Sequence, residues 1–203
     1  MAEQQLMWSR RWLIVPGVIL AYIVTMLLDN KIALFFCSSH TPLLNDAMVW
    51  VSNVATVIAV LIFMSALFLY EEKKQEWIPV LLLSAICAFL IVALIKQMIY
   101  FKRPFDALGI IPLVYVAGSS FPSAHAAVAF STVPVLEREF KMLKWAWVLF
   151  AVLIAFSRVY LCVHYMSDVI LGLALGYGVG YVFVKTEEKT HFFKNLQKKY
   201  YRG

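Results

Sequence analysis

Six apolar runs separated by short polar connections dominate this sequence of 203 residues. Most are about 18–25 residues long, the length that a helix needs to cross ~30 Å of hydrocarbon. The pattern predicts an all-α, polytopic membrane protein in which six transmembrane helices form one bundle, a single domain over residues 1–203. The shorter fourth run and the glycine-rich sixth are typical of helices packed inside a bundle. The runs cover about 12–28, 48–70, 78–95, 123–136, 144–163 and 168–184.

Composition excludes an ordinary soluble domain. Hydrophobic residues make up 63% of the chain and its mean hydropathy is +0.79, whereas soluble proteins are about 45–50% apolar. The formal net charge of +6 therefore does not indicate nucleic-acid binding, since the apolar runs leave no basic soluble domain to host it. We expect the lipid bilayer and a membrane lipid as partners, and no nucleic acid. The basic tail after the last run is typical of a topology signal or of contact with anionic lipid.

The distribution of basic residues predicts how the helices are oriented. Thirteen of the 18 lysines and arginines fall on one side of a six-helix arrangement, and cytoplasmic connections carry such an excess. Both termini should therefore face the cytoplasm, with the chain integral to the cytoplasmic (inner) membrane. Arg10 and Arg11 precede the first run, but no small-residue cleavage site follows them. We interpret that run as a retained anchor, with a cleaved signal as the alternative.

The cysteine pattern does not predict a disulfide framework, because the three cysteines are odd in number and lack paired spacing. They are Cys37, Cys87 and Cys162. We expect Cys162 to be a small buried residue, with a catalytic thiol as the alternative.

Three polar segments at the edges of the apolar runs contain the candidate catalytic and anion-binding residues. The predicted orientation places all three on the extracytoplasmic side. The first contains Lys96, Lys102 and Arg103, followed by Pro104. Lys96 and Arg103 are about two helical turns apart, so we expect them on one side of a helix that Pro104 ends, where both can bind one anion. The alternative is that these side chains bind no anion and only extend their charged groups into water at the membrane border, as we expect for Lys102.

The second segment, Pro122-Ser123-Ala124-His125, predicts the start of a helix. Serine is a preferred N-cap, and the free N–H groups of a helix start bind phosphate oxygens. The small Ala124 lets an anion approach the backbone, and His125 can protonate a leaving oxygen. The alternative is an ordinary capped helix with an interfacial histidine.

The third segment contains Ser157, Arg158, His164 and Asp168. A spacing of four places His164 and Asp168 on one face if the stretch is helical. An aspartate that accepts one imidazole N–H leaves the other ring nitrogen free to attack, and Arg158 adds a third cation. The alternative is an interfacial histidine–aspartate pair without a catalytic role.

Together the three segments resemble the three-part motif of the type-2 phosphatidic acid phosphatase family. The resemblance covers residues 96–168 by motif, with Ala124 where the family most often has glycine. It implies a membrane-embedded phosphatase whose helical core is similar to that of vanadium haloperoxidases. In order, the segments read Lys96-x6-Arg103-Pro104, Pro122-Ser123-x-His125 and Ser157-Arg158-x5-His164-x3-Asp168.

The resemblance also implies a role for each residue. His164 would attack phosphorus and form a phosphohistidine, Asp168 would orient it, and His125 would protonate the departing oxygen. The reaction would need no metal and no other cofactor. The residues that would bind the phosphate are Lys96, Arg103, Ser123, Ala124 and Arg158.

The expected substrate is undecaprenyl diphosphate, because the chain is compact, like the bacterial members that hydrolyse it. Phosphatidylglycerophosphate and phosphatidic acid remain alternatives, since the motifs bind phosphate and do not select the lipid tail. Two alternatives come from other classes of protein. A lipid phosphotransferase would pass the phosphoryl group to another lipid, and a non-catalytic lipid transporter would tolerate loss of His164.

Overall fold

The computed structural model describes the backbone of residues 2–70, 75–140 and 143–201, and the side chains in those ranges other than 2–14, 68–69, 143 and 200–201. Six of the thirteen basic residues on the predicted cytoplasmic side have side chains outside the described residues: Arg10, Arg11, Lys73, Lys74, Lys141 and Arg202. Within the described ranges every regular element is a helix, which confirms the all-α prediction. The helices are α1 (Ala2–Ser38), α2 (Pro42–Ser52), α3 (Val54–Tyr70), α4 (Trp77–Met98), α5 (Pro104–Leu108), α6 (Ala124–Ser131), α7 (Val133–Glu139), α8 (Leu143–Tyr160), α9 (Met166–Thr190) and α10 (Phe192–Tyr201).

Three of the described helical segments are long and apolar enough to cross a membrane: Val15–Ser38, Trp77–Met98 and Met166–Thr190. The pair Pro42–Ser52 and Val54–Leu67 is bent by 54° and makes a fourth if it is one span. These segments agree with a membrane protein, while the predicted number of six spans stays a prediction.

Several predicted boundaries are wrong because the hydropathy of a residue does not by itself decide where a helix ends. The first run was expected to end near residue 28, but α1 continues through Asp29 to Ser38. The second run is interrupted at Asn53, whose side-chain oxygen accepts the N–H of Ala55 at 2.8 Å and so begins α3. The fourth run is divided at Thr132 into α6 and α7.

The centre of the bundle is α6, which packs mainly on α9 and also contacts α4 and α8. On α9, Gly172, Gly176 and Gly180 lie one turn apart, and a Cβ at any of them would overlap a backbone carbonyl of α6. Glycines at this spacing let two helix backbones approach closely, as they do in membrane bundles. The prediction that the glycine-rich run is packed inside is thus confirmed.

The sequence did not predict the disulfide that the structure contains, although Cys162 is buried, as expected. Cys37 at the end of α1 and Cys162 after α8 form a disulfide, with their Cα atoms 5.5 Å apart. A catalytic thiol at Cys162 is thereby excluded as well. The pairing joins positions 125 residues apart, and a local spacing pattern cannot reveal that. Cys87 is a free, half-buried thiol in α4.

Candidate active site

Lys96 and Arg103 converge, although not along one helix as predicted. The helix α4 ends at Met98, and Pro104 begins α5 instead of ending α4. Between α4 and α5 the backbone is extended at Ile99 and at Arg103. This connection brings Arg103 close to Lys96. Both side chains donate to the carbonyl of Ser119, Lys96 Nζ at 2.5 Å and Arg103 Nη2 at 3.1 Å. Lys102, by contrast, is exposed.

The guanidinium of Arg103 joins two segments of backbone around the site. Its Nε donates to the Gly118 carbonyl at 3.0 Å, and Nη2 also reaches that of Ala117 at 3.3 Å. Its Nη1 donates to the Val163 carbonyl at 2.7 Å and lies 3.5 Å from His164 Nε2. Arg103 is therefore buried among carbonyls on one side and faces the imidazole on the other.

Ser123 is the N-cap of α6, as the sequence predicts. Its Oγ accepts the N–H of Ala126 at 3.5 Å, and its own N–H donates to the Asp168 carbonyl at 3.1 Å. That second bond fixes the start of α6 against the start of α9. The half-buried Ala124 and His125 lie in the first turn, and His125 is within electrostatic range of Arg158 and His164.

His164 and Asp168 meet, but for a different reason than a shared helical face. His164 lies in the connection before α9, and Asp168 is the third residue of that helix. Asp168 Oδ2 accepts the N–H of Tyr165 at 2.9 Å, closing the first turn of α9. The same oxygen lies 3.5 Å from His164 Nδ1, and both side chains are almost fully buried.

The two nitrogens of the His164 ring thus face different groups. Nδ1 points to Asp168 Oδ2, and Nε2 points to Arg103 Nη1. Because a guanidinium can only donate, Nε2 carries the lone pair and Nδ1 the proton in the neutral ring. Nδ1 makes no hydrogen bond to the described residues, since its contact with Asp168 Oδ2 is too long and poorly aligned for one. Catalytic hydrogen bonds are often long before substrate binds.

Burial and the charges of Arg158, Arg103 and Lys96 hold the pKa of His164 well below its ordinary value of 6.5. The ring is therefore neutral near neutral pH, so its Nε2 lone pair is available. A site with three cations and a neutral imidazole attracts an anion and can attack it.

Arg158 lies in the last turn of α8 and is 4% exposed. Its carbonyl accepts the N–H groups of Val163 and His164, both at 3.2 Å, and so shapes the connection that holds the imidazole. Its Nε is buried without a hydrogen-bond partner among the described residues. A buried donor without a partner is costly, and a phosphoryl oxygen would satisfy it.

Ser120 was not predicted as a site residue. It is fully buried, its hydroxyl donates to Asp168 Oδ2, and its carbonyl accepts from Lys96 Nζ at 3.1 Å. The segment before Pro122 therefore supports the carboxylate from outside α9. A serine two residues before the second motif was the available signal, but its partner lies 48 residues away.

The chain is similar to known proteins. The PAP2 superfamily model matches residues 77–192, more than half of the chain. Undecaprenyl-diphosphatase BcrC of Bacillus subtilis (strain 168) is 27% identical over 168 residues, 82% of this chain and 86% of that protein. Phosphatidylglycerophosphatase B of the same strain is 28% identical over 167 residues, 75% of this chain and 80% of that protein.

Among solved structures, a transmembrane PAP2 type phosphatidylglycerolphosphate phosphatase from Bacillus subtilis superposes with a TM-score of 0.68 at 23% identity. The alignment covers 86% of this chain and 96% of that one, which shows a shared fold. The superfamily match contains all three polar segments, so the resemblance expected from them is confirmed. The chain therefore belongs to the PAP2 superfamily and is a membrane lipid phosphatase.

Proposed function

We propose that this phosphatase hydrolyses undecaprenyl diphosphate to the monophosphate at the outer face of the membrane, through a phosphohistidine on His164. The observation that carries the mechanism is the placement of the imidazole, with Nδ1 beside Asp168 and Nε2 beside Arg103. Similarity to undecaprenyl-diphosphatases supports the substrate.

In the first step, the Nε2 lone pair of His164 forms a bond to the terminal phosphorus. The bond between that phosphorus and the bridging oxygen breaks, and the lipid monophosphate leaves with a proton from His125, whose protonated form the bound anionic substrate favours. Asp168 stabilises the positive charge that develops on the attacking ring. Lys96, Arg103 and Arg158 stabilise the charge on the transferring phosphoryl group.

In the second step, water attacks the phosphohistidine and His125 accepts the proton of that water. The nitrogen–phosphorus bond breaks, inorganic phosphate leaves, and His164 returns to its neutral form. In this proposal the Ser123 hydroxyl and the free N–H groups at the start of α6 donate to phosphoryl oxygens in both steps. A phosphotransferase would differ only here, with a lipid hydroxyl in place of water.

The test is release of inorganic phosphate by detergent-purified protein from undecaprenyl diphosphate, phosphatidylglycerophosphate and phosphatidic acid, with EDTA present. We expect undecaprenyl diphosphate to be hydrolysed fastest, with EDTA having no effect. His164→Ala should abolish release and acid-labile phosphorylation, while His191→Ala, an exposed histidine at the end of α9, should behave as wild type. Substantial turnover by His164→Ala would refute the mechanism, and preference for phosphatidylglycerophosphate would refute the substrate.

Two observations support the outer face as the side of the reaction. The excess of basic residues predicts cytoplasmic termini, and the disulfide Cys37–Cys162 lies two residues from His164. Disulfides persist on the oxidising, extracytoplasmic side of a membrane. Ser39→Cys should therefore react with an impermeant maleimide on intact cells, and Lys189→Cys only after permeabilisation; both positions are exposed. The reverse labelling pattern would place the site on the cytoplasmic face.

A further inference from the structure

A carboxylate in the first helix contacts the start of the helix that carries Asp168. Asp29 lies within the apolar span Val15–Ser38 and is half-buried. Its Oδ1 accepts the backbone N–H of Ser167 at 3.1 Å, and its Oδ2 accepts the hydroxyl of the same serine. Ionisable residues inside apolar spans are costly and mark functional positions. The proposed mechanism leaves this one without a role.

The contact satisfies an N–H that α9 cannot satisfy itself. Ser167 is the second residue of α9, and the first four N–H groups of a helix have no partner within it. Asp168 accepts the N–H of Tyr165, and Asp29 accepts that of Ser167. Two carboxylates at the positive end of the helix dipole therefore fix where α9 begins. Because Asp168 is the next residue after Ser167, fixing Ser167 also fixes the position of Asp168.

The end of α1 and the residues just after it also contact the segment that precedes His164. Cys37 is bonded to Cys162, and His40 Nε2 lies 2.8 Å from the carbonyl of Tyr160. The connection between α8 and α9, which contains His164, is thus attached to α1 and to His40 just after it. Two of these contacts lie before residue 164, and the contact of Asp29 with Ser167 lies after it. The partners that the first part of the chain supplies, Asp29, Cys37 and His40, lie outside residues 77–192, the part that matches the superfamily.

The apolar residues of α1 that pack against the core are Ile32, Ala33 and Phe36, near the end of the helix. Only 6% of its most apolar window is buried in the protein, and apolar side chains gain little from leaving lipid for protein. The polar contact at Asp29 and the disulfide therefore act together with this packing to align α1 with the site. We infer that Asp29 is a positioning residue of the reaction, one that holds Asp168 in line with His164 through Ser167.

This inference rests on the proposed roles of His164 and Asp168. The test measures kcat and KM of Asp29→Ala and Asp29→Asn in reconstituted full-length protein. Loss of a hydrogen-bonded, charged partner should lower kcat of Asp29→Ala about 10- to 100-fold, with KM within about threefold of wild type. Asp29→Asn keeps an acceptor for the Ser167 N–H and should retain more activity than the alanine variant. Asp46→Asn, an exposed carboxylate of α2, is the matched control and should leave both constants unchanged.

A double-variant cycle separates positioning from general damage. If Asp29 acts through Ser167, then Asp29→Ala combined with Ser167→Ala should have the kcat of Asp29→Ala alone. Independent, additive losses would overturn the inference, and so would a kcat of Asp29→Ala within about twofold of wild type. A loss that appears only as less folded protein, with normal kcat per folded enzyme, would also overturn it. Activity of His164→Ala would instead refute the proposed function, so the two failures are distinguishable.

Discussion

Ser120 and Asp168 are joined by a hydrogen bond from the serine hydroxyl to Oδ2, the carboxylate oxygen that faces His164 Nδ1. That oxygen also accepts the N–H of Tyr165. The carboxylate is therefore held from two directions, by the backbone of its own helix and by the segment before Pro122. A fixed carboxylate selects one tautomer and one orientation of the imidazole that it faces.

Ser120→Ala should lower kcat because it removes one of these two supports. A hydrogen bond to a charged group contributes about 1.5–3 kcal/mol, which corresponds to a roughly 10- to 100-fold loss if it acts on the transition state. Ser119→Ala is the matched control, since the Ser119 hydroxyl bonds Phe101 and Phe121 and not the carboxylate. Steady-state kinetics with lipid diphosphate measures both, and equal kcat values for the two variants would contradict the role of Ser120.

Arg158→Lys should impair turnover while the protein stays folded. The unpartnered Arg158 Nε is available to an anion, and lysine cannot reproduce a planar guanidinium. Removing one such donor typically costs about 10²- to 10³-fold in kcat. The measurement is single-turnover phosphate release, together with thermal unfolding; near-normal turnover would mean that the arginine serves only the connection before His164.

Arg103→Lys should impair folding as well as turnover, unlike Arg158→Lys. Arg103 is already bonded to the carbonyls of 117–119 and of Val163. A lysine has one ammonium group and cannot span both segments. We expect a lower melting temperature as well as lower activity, measured by a thermal shift in detergent. A stable but inactive Arg103→Lys protein would show that the carbonyl contacts add little to folding.

The helical architecture could be predicted because apolar length is a local property of the sequence. The helices α4 and α9 appear as long apolar runs, and the cap at Ser123 follows from its residue type and neighbours. The end of α1 could not be placed, since Asp29 looks like a polar boundary until its partner Ser167, 138 residues away, is known.

The motif residues could be predicted, whereas their supports could not. The spacing of His164 and Asp168 indicated a pair, but the pair forms through the cap of α9 rather than a helical face. Ser120 and Cys37 act through contacts with residues 48 and 125 positions away. A single sequence carries no sign of such contacts, because only the folded bundle brings these residues together.

His164 should remain neutral when the pH falls through 6.5, because burial and the nearby cations lower its pKa. A lowered pKa of a base means that the neutral, attacking form survives at more acidic pH. Nitrogen NMR of histidine-labelled protein, assigned with His164→Asn, measures the titration. Arg158→Gln removes one cation and should raise the pKa of His164 towards its ordinary value. Titration of wild-type His164 near 6.5 would contradict the electrostatic description.

The glycines of α9 offer a direct test of how closely α6 must approach. A Cβ at Gly176 would overlap the backbone of Ala127, whereas a Cβ at Gly178 on the same helix meets nothing within 4 Å. Gly176→Ala should separate α6 from α9 and cost about 1–3 kcal/mol of stability.

The same separation should reduce activity, because Ser123 and His125 are carried by α6 while His164 and Asp168 lie at the start of α9. Gly178→Ala should be neutral or stabilising by about 0.4–1 kcal/mol, since alanine restricts the unfolded chain. Thermal unfolding and phosphate release measure both variants. If the two alanines have the same effect, close contact at Gly176 does not determine the geometry of the site.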